Sequence, residues 1–587
     1  MRVVPVVPAL AVTALAVMAL AACRNTHVSR GLPVLAKAPD GVLISGAGGL
    51  PDIERGNQER QAGRLDEAER DLLPLARRGY ADAQMYLAAV YAQREATDAE
   101  DEAIKWYRTV LPQRPDAAIP LARLLMHQGN RESVVAANDL LSQAKEGVDE
   151  ASLNAAMLDL YSLFPALDEK KRAPAIAKAA AASSAVGARA SAINWYRASI
   201  SEPGNARRLV ELCRKNRELI PACHVDLATY YRYKGNAESL AKTVDEAMAA
   251  LVRPVSYANF DDFYYDPVAL PPIASRLVIA LIDQPLTDDL NEVNEDLALA
   301  KEAEANAEAE AGEESLDEVP ATGALPQYAD AANVGAVAPS SGPSTAASAR
   351  ASATTAQPGT LSNAAHPELA DKLLRWMLKQ SGAMAVEAAG VAVAFPYLLP
   401  DVNLESVLKA GVTAKVPRAS LYLGQLYYFN QRVPREAVLG EASLMQSLQF
   451  RETAAPSHYR LGRLYQQGYL GRPDPQKALE NFLYAARRRV TAADTHLARL
   501  FYDSPGTRIN RVNSYVFARL SEDGGVPVVV HSLRGGTLST YRLLDRLRAE
   551  LTPDELKKAE SLYQQEREVH VVMRPVVSPA IWVKDAG

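Results

Sequence analysis

Three segments in the C-terminal half of the chain repeat one another at intervals of 38 and 36 residues, and this repeat restricts the fold more than any other feature. The copies share a leucine, a small residue and an aromatic residue at fixed spacing: Leu423, Gly424 and Tyr427, then Leu461, Gly462 and Tyr465, then Leu497, Ala498 and Phe501. Residues four apart lie on one face of an α-helix, and the small residue lets a second helix approach closely. The pattern therefore predicts a packed helix in every copy.

A second helix is predicted after each first one. In the middle copy Asp474 is placed to cap this helix, and Pro475 occupies its first position, where a missing N–H costs nothing. Ala478 then begins an apolar face that one hairpin cannot bury alone, so neighbouring hairpins must stack. The period is typical of tetratricopeptide and Sel1-like repeats. It predicts an all-α fold, a right-handed superhelical solenoid of helical hairpins.

Weaker copies in the N-terminal half, such as YADAQMYLAAVY at residues 80–91, extend the predicted solenoid. Between the halves, residues 286–362 are first acidic and then rich in Ala, Ser and Pro, with thirteen acidic residues against one lysine between Thr287 and Glu318. Such a segment cannot bury a core and is predicted to be disordered. It is either a hinge between two halves or an insertion looped out of one solenoid, and the periodicity that resumes after it favours the insertion.

The first residues of the chain predict where in the cell the protein is located. An apolar stretch follows Arg2, as in secretory signal peptides, and the sequence LAAC ending at Cys23 resembles the bacterial lipobox. We expect cleavage before Cys23 and lipidation of its thiol, with an uncleaved membrane anchor as the alternative. Arg24 stands where an Asp often retains lipoproteins in the inner membrane, which favours the periplasmic face of the outer membrane.

These features divide the chain into six predicted regions: a lipoprotein signal peptide at 1–22, a flexible tether at 23–50, an N-terminal tetratricopeptide-like solenoid at 51–285, the disordered insertion at 286–362, C-terminal Sel1-like repeats at 363–525, and a capping helix with a tail at 526–587. The last region begins its helix at a capping box formed by Thr552 and Glu555. A polar final helix suits the end of a solenoid.

The two remaining cysteines are predicted to form a disulfide. Cys213 and Cys223 flank a turn that contains Pro221, and the periplasm is oxidising, so a disulfide is favoured over two free thiols. His224 follows Cys223, but no companion ligands stand at a spacing typical of zinc sites. The sequence therefore predicts a structural pair, with no metal and no cofactor.

The chain carries no motif of nucleophilic, metal-dependent or phosphate-binding catalysis, and we predict that it is not an enzyme. Its formal net charge of −6 argues against a nucleic-acid partner. Four arginines and one asparagine are the candidate contact for an anionic polymer or an acidic partner, and we call them the basic group: Arg487, Arg488, Arg489, Asn510 and Arg511. The alternative for Arg487, Arg488 and Arg489 is that they complement the dipole at the C-terminus of a helix.

Four features together resemble the AlgK family, the outer-membrane lipoproteins of bacterial alginate secretion: Cys23, the Cys213 and Cys223 pair followed by ATYYRYKGNAE, the run YRLGRLYQQGYLGRPDPQKALENFLYAARR, and NRVNSYVFARL at 510–520. The resemblance covers most of the chain outside residues 286–362, and the insertion departs from the family. It is most specific from about residue 419 to 520.

The resemblance implies a non-enzymatic periplasmic scaffold that sits beside the outer-membrane alginate porin. Such a scaffold would help localise the porin, contact the periplasmic acetylation and biosynthesis proteins, and shield the nascent polymer from lyase. Direct contact with the alginate polymer is a further expectation. Two other hypotheses stay open at this point: a Sel1-like lipoprotein scaffold of another exopolysaccharide or cell-envelope complex, and a polysaccharide lyase or hydrolase on a helical framework.

Overall fold

The computed structural model describes residues 51–94, 96–144, 147–168, 170–252, 270–282, 365–380, 382–428, 433–488, 490–503, 510–534 and 537–569. The predicted signal peptide and tether, the predicted disordered insertion and the last residues of the tail lie outside this description. The described residues from Ile53 onward belong to one compact unit.

The first part of that unit consists of thirteen helices: α1 Ile53–Gln61, α2 Leu65–Arg77, α3 Ala81–Gln93, α4 Ala99–Val110, α5 Ala118–Gln128, α6 Arg131–Gln143, α7 Glu150–Leu163, α8 Ala173–Ala181, α9 Val186–Ala198, α10 Asn205–Asn216, α11 Cys223–Tyr233, α12 Ala237–Ala250 and α13 Leu270–Ile282. Short 3₁₀ turns at Pro115–Ala117 and Pro165–Leu167 join some of them.

The second part contains eleven more described helices and one hairpin: α14 Pro367–Leu378, α15 Gly382–Ala394, α16 Leu404–Thr413, α17 Pro417–Tyr428, α18 Ala437–Ser447, α19 Arg451–Gln467, α20 Pro475–Ala486, α21 Ala492–Asp503, α22 Arg511–Asp523, β1 Val529–Arg534, β2 Thr537–Arg542, α23 Leu543–Glu550 and α24 Pro553–Val569. The three C-terminal copies are the pairs α17–α18, α19–α20 and α21–α22.

Consecutive helices pack as hairpins, and the hairpins stack. Within hairpins, α17 packs on α18, α19 on α20 and α21 on α22. Between hairpins, odd-numbered helices pack on one another, as in α5 on α7, α13 on α15 and α17 on α19. This arrangement of neighbours confirms the predicted all-α solenoid of helical hairpins.

The apolar core continues from hairpin to hairpin. Four buried clusters follow one another along the chain, and adjacent clusters share a helix that contributes a different face to each. On α17, for example, Leu423 and Tyr427 face the preceding cluster, whereas Leu421 and Tyr428 face the next one. Every hairpin thus depends on its neighbours for burial, which is the physical basis of a solenoid.

The chain leaves the solenoid after α13 and returns beside the point of departure. His366 N–H donates to Leu281 O over 2.9 Å, and α14 packs against α13. The two described ends of the segment 283–364 are therefore neighbours. This placement favours an insertion looped out of one solenoid over a hinge between two halves.

The C-terminal region differs from the single capping helix that the sequence predicts. An antiparallel hairpin, β1–β2, pairs Val529 with Arg542 and precedes the additional helix α23. The predicted final helix is present as α24, and its capping box is formed by Thr552 and Glu555. Leu543 N–H donates to Val528 O over 2.8 Å, so the β-hairpin leads the chain directly into α23.

Candidate functional surfaces

The repeat residues predicted from the sequence lie at helix contacts. Five of them are buried: Leu423, Tyr427, Leu461, Tyr465 and Ala478. A Cβ added at Gly424 would lie 2.7 Å from Leu444 Cγ, and one at Gly462 would lie 2.7 Å from the ring of Phe482. The small residue therefore sets the closest approach of the two helices in each hairpin. In the third copy, Ser514 Oγ instead donates to Ala498 O over 2.8 Å.

Asp474 and Asn510 perform the same local task in successive copies. The Asp474 carboxylate accepts from the Lys477 N–H at 3.0 Å, and the Asn510 side chain accepts from the Asn513 N–H at 3.1 Å. Each satisfies an N–H that the first turn of its helix leaves without a partner. Pro475 stands at the first position of α20, as predicted.

The repeat tyrosine makes a contact that the sequence reasoning missed. Its hydroxyl donates to a glutamate on the preceding even-numbered helix in three hairpins: Tyr91 to Glu69 at 2.7 Å, Tyr427 to Glu405 at 2.6 Å and Tyr465 to Glu441 at 2.6 Å. Burial and the Glu69 hydrogen bond raise the pKa of Tyr91 to about 12. A glutamate 22 to 24 residues before the tyrosine was the available signal.

The predicted basic group does not form one open patch. Arg487 pairs with Glu566 of α24 at 2.9 Å, and Arg511 pairs with Glu550 of α23 at 2.8 Å. Both arginines thus tie repeat helices to the C-terminal end of the fold. Asn510 is the helix cap described above, and Arg489 lies outside the described residues.

Arg488 belongs to a stack of three side chains. Its guanidinium lies 3.7 Å from the ring centre of Tyr484, and the His458 ring lies 3.8 Å from the same centre. The guanidinium and the imidazole are too close to the Tyr484 ring to share one of its faces, so they cover opposite faces of the ring. Burial, together with the Arg488 charge, lowers the pKa of His458, although a hydrogen bond with Asn481 opposes this shift. The stack leaves no open tyrosine face against which a sugar ring could lie.

Cys213 and Cys223 adjoin each other in the core, where both are present as thiols. Both are fully buried, and their side chains are hydrogen-bonded to each other. The Cys213 thiol also lies 3.5 Å from Asp226 Oδ2, and Asp226 accepts two hydrogen bonds from Arg197 at 2.9 and 2.6 Å. The two side chains are therefore in contact, as the predicted disulfide requires, and the disulfide itself stays a prediction.

A ladder of polar contacts joins successive odd-numbered helices. Its steps, which we call the odd-helix ladder, are Arg123 to Asp159, Arg197 to Asp226, Ser275 to Glu387, Arg418 to Glu387 and Arg418 to Glu452. Glu387 is 3% exposed and accepts from Tyr422 Oη at 3.1 Å. Buried charges need partners, and here each partner comes from the neighbouring hairpin. The ladder therefore favours the observed order and register of the hairpins.

One helix presents an apolar face to solvent. Val438, Leu439 and Met445 on α18 are 70%, 43% and 53% exposed. At the positions of Val438 and Leu439, the next copy of the repeat exposes Gln476 and Lys477 on α20. An apolar cluster of this kind is typical of a surface that contacts another protein.

The structure offers no sign of metal chemistry in the part of the chain that it describes, where no group of three or more His, Cys, Asp or Glu side chains could hold an ion. No helix among the described elements combines the length and apolar character needed to span a membrane.

Known proteins resemble this chain over most of its length. The alginate biosynthesis protein AlgK of Pseudomonas syringae is 26% identical over 92% of this chain and 93% of the relative. The AlgK of Pseudomonas aeruginosa is 24% identical over 90% and 89%, and that of Azotobacter vinelandii is 35% identical over 26% and 31%. No family model matches the chain.

Among solved structures, a protective antigen of uropathogenic Escherichia coli with an SLR fold covers 85% of this chain and 94% of its own, at 14% identity and a TM-score of 0.29. A TM-score this low gives no information on how the hairpins of this chain are arranged.

The fold defines an α-solenoid of stacked helical hairpins in which a set of polar contacts joins neighbouring repeats. Within that class, the relatives confirm the resemblance to the AlgK family that the sequence motifs predict.

Proposed function

We propose that this chain is a non-enzymatic scaffold of the machinery for alginate biosynthesis and export. The observation that carries the proposal is the similarity to two alginate biosynthesis proteins over nine-tenths of the chain. A stack of hairpins supports this role because it offers one long surface to several partners at once. The exposed face of α18 supports it further, since apolar side chains in solvent favour protein contact.

The proposed partners are the outer-membrane alginate porin and the periplasmic proteins that synthesise and modify alginate. By holding them together, the scaffold would pass the polymer to the porin before periplasmic lyase could cut it. Contact with the polymer itself is the least supported part, because Arg487 and Arg511 are paired with glutamates of the same chain. We therefore assign the primary role to contacts between proteins.

The proposed location is the periplasmic face of the outer membrane, held by lipid on Cys23. Support comes from the sequence alone, from the lipobox-like residues before Cys23 and from Arg24. These residues lie outside the described structure. Two acyl chains bury enough methylene groups for stable anchoring. Replacing Cys23 with Ala should therefore release the protein from sedimented membranes, and a variant that stays with the outer membrane would contradict the lipid anchor.

The decisive experiment is a clean deletion in the native polymer-producing host. Released uronic acid is sized by gel filtration, and the porin is located by membrane fractionation. We expect loss of long polymer, accumulation of short uronides and displacement of the porin from the outer membrane. Complementation with the unaltered chain is the control.

Normal polymer with a correctly placed porin would contradict the proposal. The solenoid would then serve another exopolysaccharide or envelope complex. Polymer of altered length with the porin in place would also contradict it, because that result points to an activity on the polymer itself. The two results therefore separate the alternatives left open by the sequence.

A further inference from the structure

Two parts of the solenoid that are remote in sequence contact each other. The loop between α3 and α4 lies against the turn between α18 and α19, although 359 residues separate Ala92 from Arg451. Ala96 and Phe450 form an antiparallel β-bridge, and α6 contacts α24, which is a second contact between the two parts of the chain. Solenoid repeats ordinarily contact only their neighbours. This contact therefore joins two parts of the stack that are not neighbouring repeats.

Arg451 forms the polar centre of the contact. Its Nη2 donates to Ala92 O over 3.3 Å, at the end of α3, where the last carbonyls have no partner within the helix. Its Nε lies 3.6 Å from Glu100 Oε2, in the first turn of α4, where a negative charge is favourable. His127 Nδ1 lies 3.0 Å from the same carboxylate oxygen. One arginine thus contacts the end of one helix and the start of the next.

The burial of Glu100 links these charges to closure. Its side chain is 7% exposed, and a buried carboxylate is strongly unfavourable unless a positive group accompanies it. Arg451 supplies such a group from the α18–α19 side of the contact. Removing one partner of a buried pair is destabilising because it leaves a buried charge uncompensated. His127 lies beside the carboxylate on its own side of the contact, and Arg451 adds a permanent positive charge from the other side.

The α18–α19 turn, which carries Arg451, is rigid. Thr453 Oγ1 donates to Ser447 O over 2.6 Å, and both residues are fully buried. Thr97 N–H donates to the carbonyl of Gln449 at 3.1 Å, so backbone groups of the turn meet backbone groups of the loop. The two sides also belong to different apolar cores, since the buried residues of α3 and α4 pack separately from those of α19.

We propose that the α3–α4 loop and the α18–α19 turn form a clasp that closes the solenoid into one superhelical turn and can open without unfolding the hairpins. The clasp is defined by Ala96, Thr97 and Glu100 on one side and by Phe450 and Arg451 on the other. Opening it breaks the β-bridge and the contacts of Arg451 with Ala92 and Glu100, while the stacked hairpins keep their own cores. The solenoid therefore has a closed and an open state.

The first test is a cross-link across the bridge. Residues paired in a β-bridge have Cα atoms about 4.5–5.5 Å apart, which is within the range of about 4.4–6.8 Å that a disulfide requires. In the full chain, Ala96→Cys with Phe450→Cys should form a disulfide under mild oxidation, identified by mass spectrometry of the linked peptides. The control pairs Ala96→Cys with Lys409→Cys on the exposed side of α16. We expect the bridge pair to react roughly tenfold faster or more, because proximity raises effective concentration.

The second test removes the ion pair. Arg451→Ala in the bridge-pair background should slow the cross-link and raise the radius of gyration measured by X-ray scattering, with helix content unchanged by circular dichroism. Arg375→Ala, which removes an exposed arginine paired with Asp371 and Asp401, is the matched control and should change neither quantity. Glu100→Gln should act in the same direction as Arg451→Ala, though less strongly.

Two results would overturn the clasp. If the folded bridge pair reacts no faster than the control pair, the loop and the turn do not meet in solution. If the bridge pair reacts fast but Arg451→Ala changes neither the rate nor the radius of gyration, Arg451 does not hold the contact closed. Helix content distinguishes both results from a failure of either variant to fold.

Discussion

A single missing side chain sets the spacing of two helices in the repeat. Gly462 has no Cβ, and the ring of Phe482 occupies the space where one would lie. Phe482 is fully buried, so it has little room to move away. Gly424 has the same relation to Leu444 one copy earlier. In the repeat motif, the leucine and the tyrosine are buried between the helices. The glycine allows the two helices to come close enough for this burial.

We predict that Gly462→Ala destabilises the protein by about 1–3 kcal/mol, because overpacking outweighs the better helix propensity of Ala. The matched control is Gly187→Ala in α9, where an added Cβ meets nothing within 4 Å. That change should be neutral or stabilising by up to about 1 kcal/mol. Thermal unfolding measures both, and equal midpoints for the two variants would contradict the close approach.

The cysteine pair gives a second prediction at this scale. Burial is the largest of several effects that raise the pKa of the Cys213 thiol, which disfavours the thiolate needed for exchange. A disulfide between Cys213 and Cys223 must therefore form before the core closes. It would do so by exchange with a disulfide-bearing donor, which accepts both hydrogens and is reduced to two thiols.

We predict that protein folded in the periplasm carries this disulfide and that it adds about 2–3 kcal/mol of stability. Alkylation after denaturation without reductant, followed by mass spectrometry, is the measurement. Neither cysteine should be labelled in periplasmic protein, and both should be labelled in protein folded under reducing conditions. Labelling of both in the periplasmic sample would show that the pair stays as thiols.

At the scale of elements, helix starts recur with the same chemistry. Six described helices begin behind an Asn or Asp whose side chain accepts from a backbone N–H three residues on: Asn130, Asp149, Asn236, Asn403, Asp474 and Asn510. Five of these helices are even-numbered, the second member of a hairpin, and α7 is the exception. The cap ends the turn and starts the helix, so it helps define where each hairpin reverses.

We predict that Asp474→Ala lowers stability by about 0.5–2 kcal/mol, because the first turn of α20 loses its side-chain acceptor. Asp474→Asn keeps an acceptor in the same place and should lose less than half as much. Thermal unfolding distinguishes them, and local hydrogen exchange should rise in the first turn of α20 for Ala alone. Equal losses for Ala and Asn would assign the effect to charge and not to capping.

At the scale of the molecule, the odd-helix ladder adds polar contacts between hairpins to the apolar contacts that the repeat motif supplies. Glu387 on α15 contacts Arg418 and Tyr422 on α17, and Arg418 also contacts Glu452 on α19. Burial is the largest of the effects that raise the pKa of Glu387, and the Arg418 charge opposes it. A carboxyl whose pKa is raised by folding binds its proton more tightly in the native state than in the unfolded state.

The raised pKa of Glu387 predicts the direction in which the stability of the fold changes with pH. The contribution of Glu387 to stability is fully present below its ordinary pKa of 4.5 and is lost as pH rises through the raised native value. We predict that Glu387→Gln removes this loss, so the midpoint of thermal unfolding falls less between acidic and neutral pH than in the unaltered chain. Differential scanning calorimetry over that range measures the effect.

Glu405 provides a control of opposite sign. Hydrogen bonds from Lys409 and then Tyr427 lower its pKa, so its contribution is present above the ordinary value and is lost as pH falls. Glu405→Gln should therefore reduce the loss of stability at acidic pH and leave the slope due to Glu387 unchanged. Identical pH profiles for the two variants would show that neither carboxyl behaves as the contacts imply.

The sequence by itself determined the hairpins and their stacking. Gly462, Tyr465 and Asp474 act within about forty residues of chain, where spacing alone decides which side chains meet. The spacing of Cys213 and Cys223 likewise placed two buried side chains together. Local periodicity was sufficient for these features because a solenoid repeats the same nearest-neighbour contact.

Only the tertiary structure decided which charges pair and where the solenoid meets itself. Arg487 and Arg511 look like a surface for a polymer in the sequence, but the fold brings Glu566 and Glu550 to them from the last helices. Arg451 and Glu100 meet although many hairpins separate them along the chain. Small rotations accumulated over hundreds of residues leave no fixed spacing in the sequence, and this is the physical reason that the ion pairs and the clasp had to be found in three dimensions.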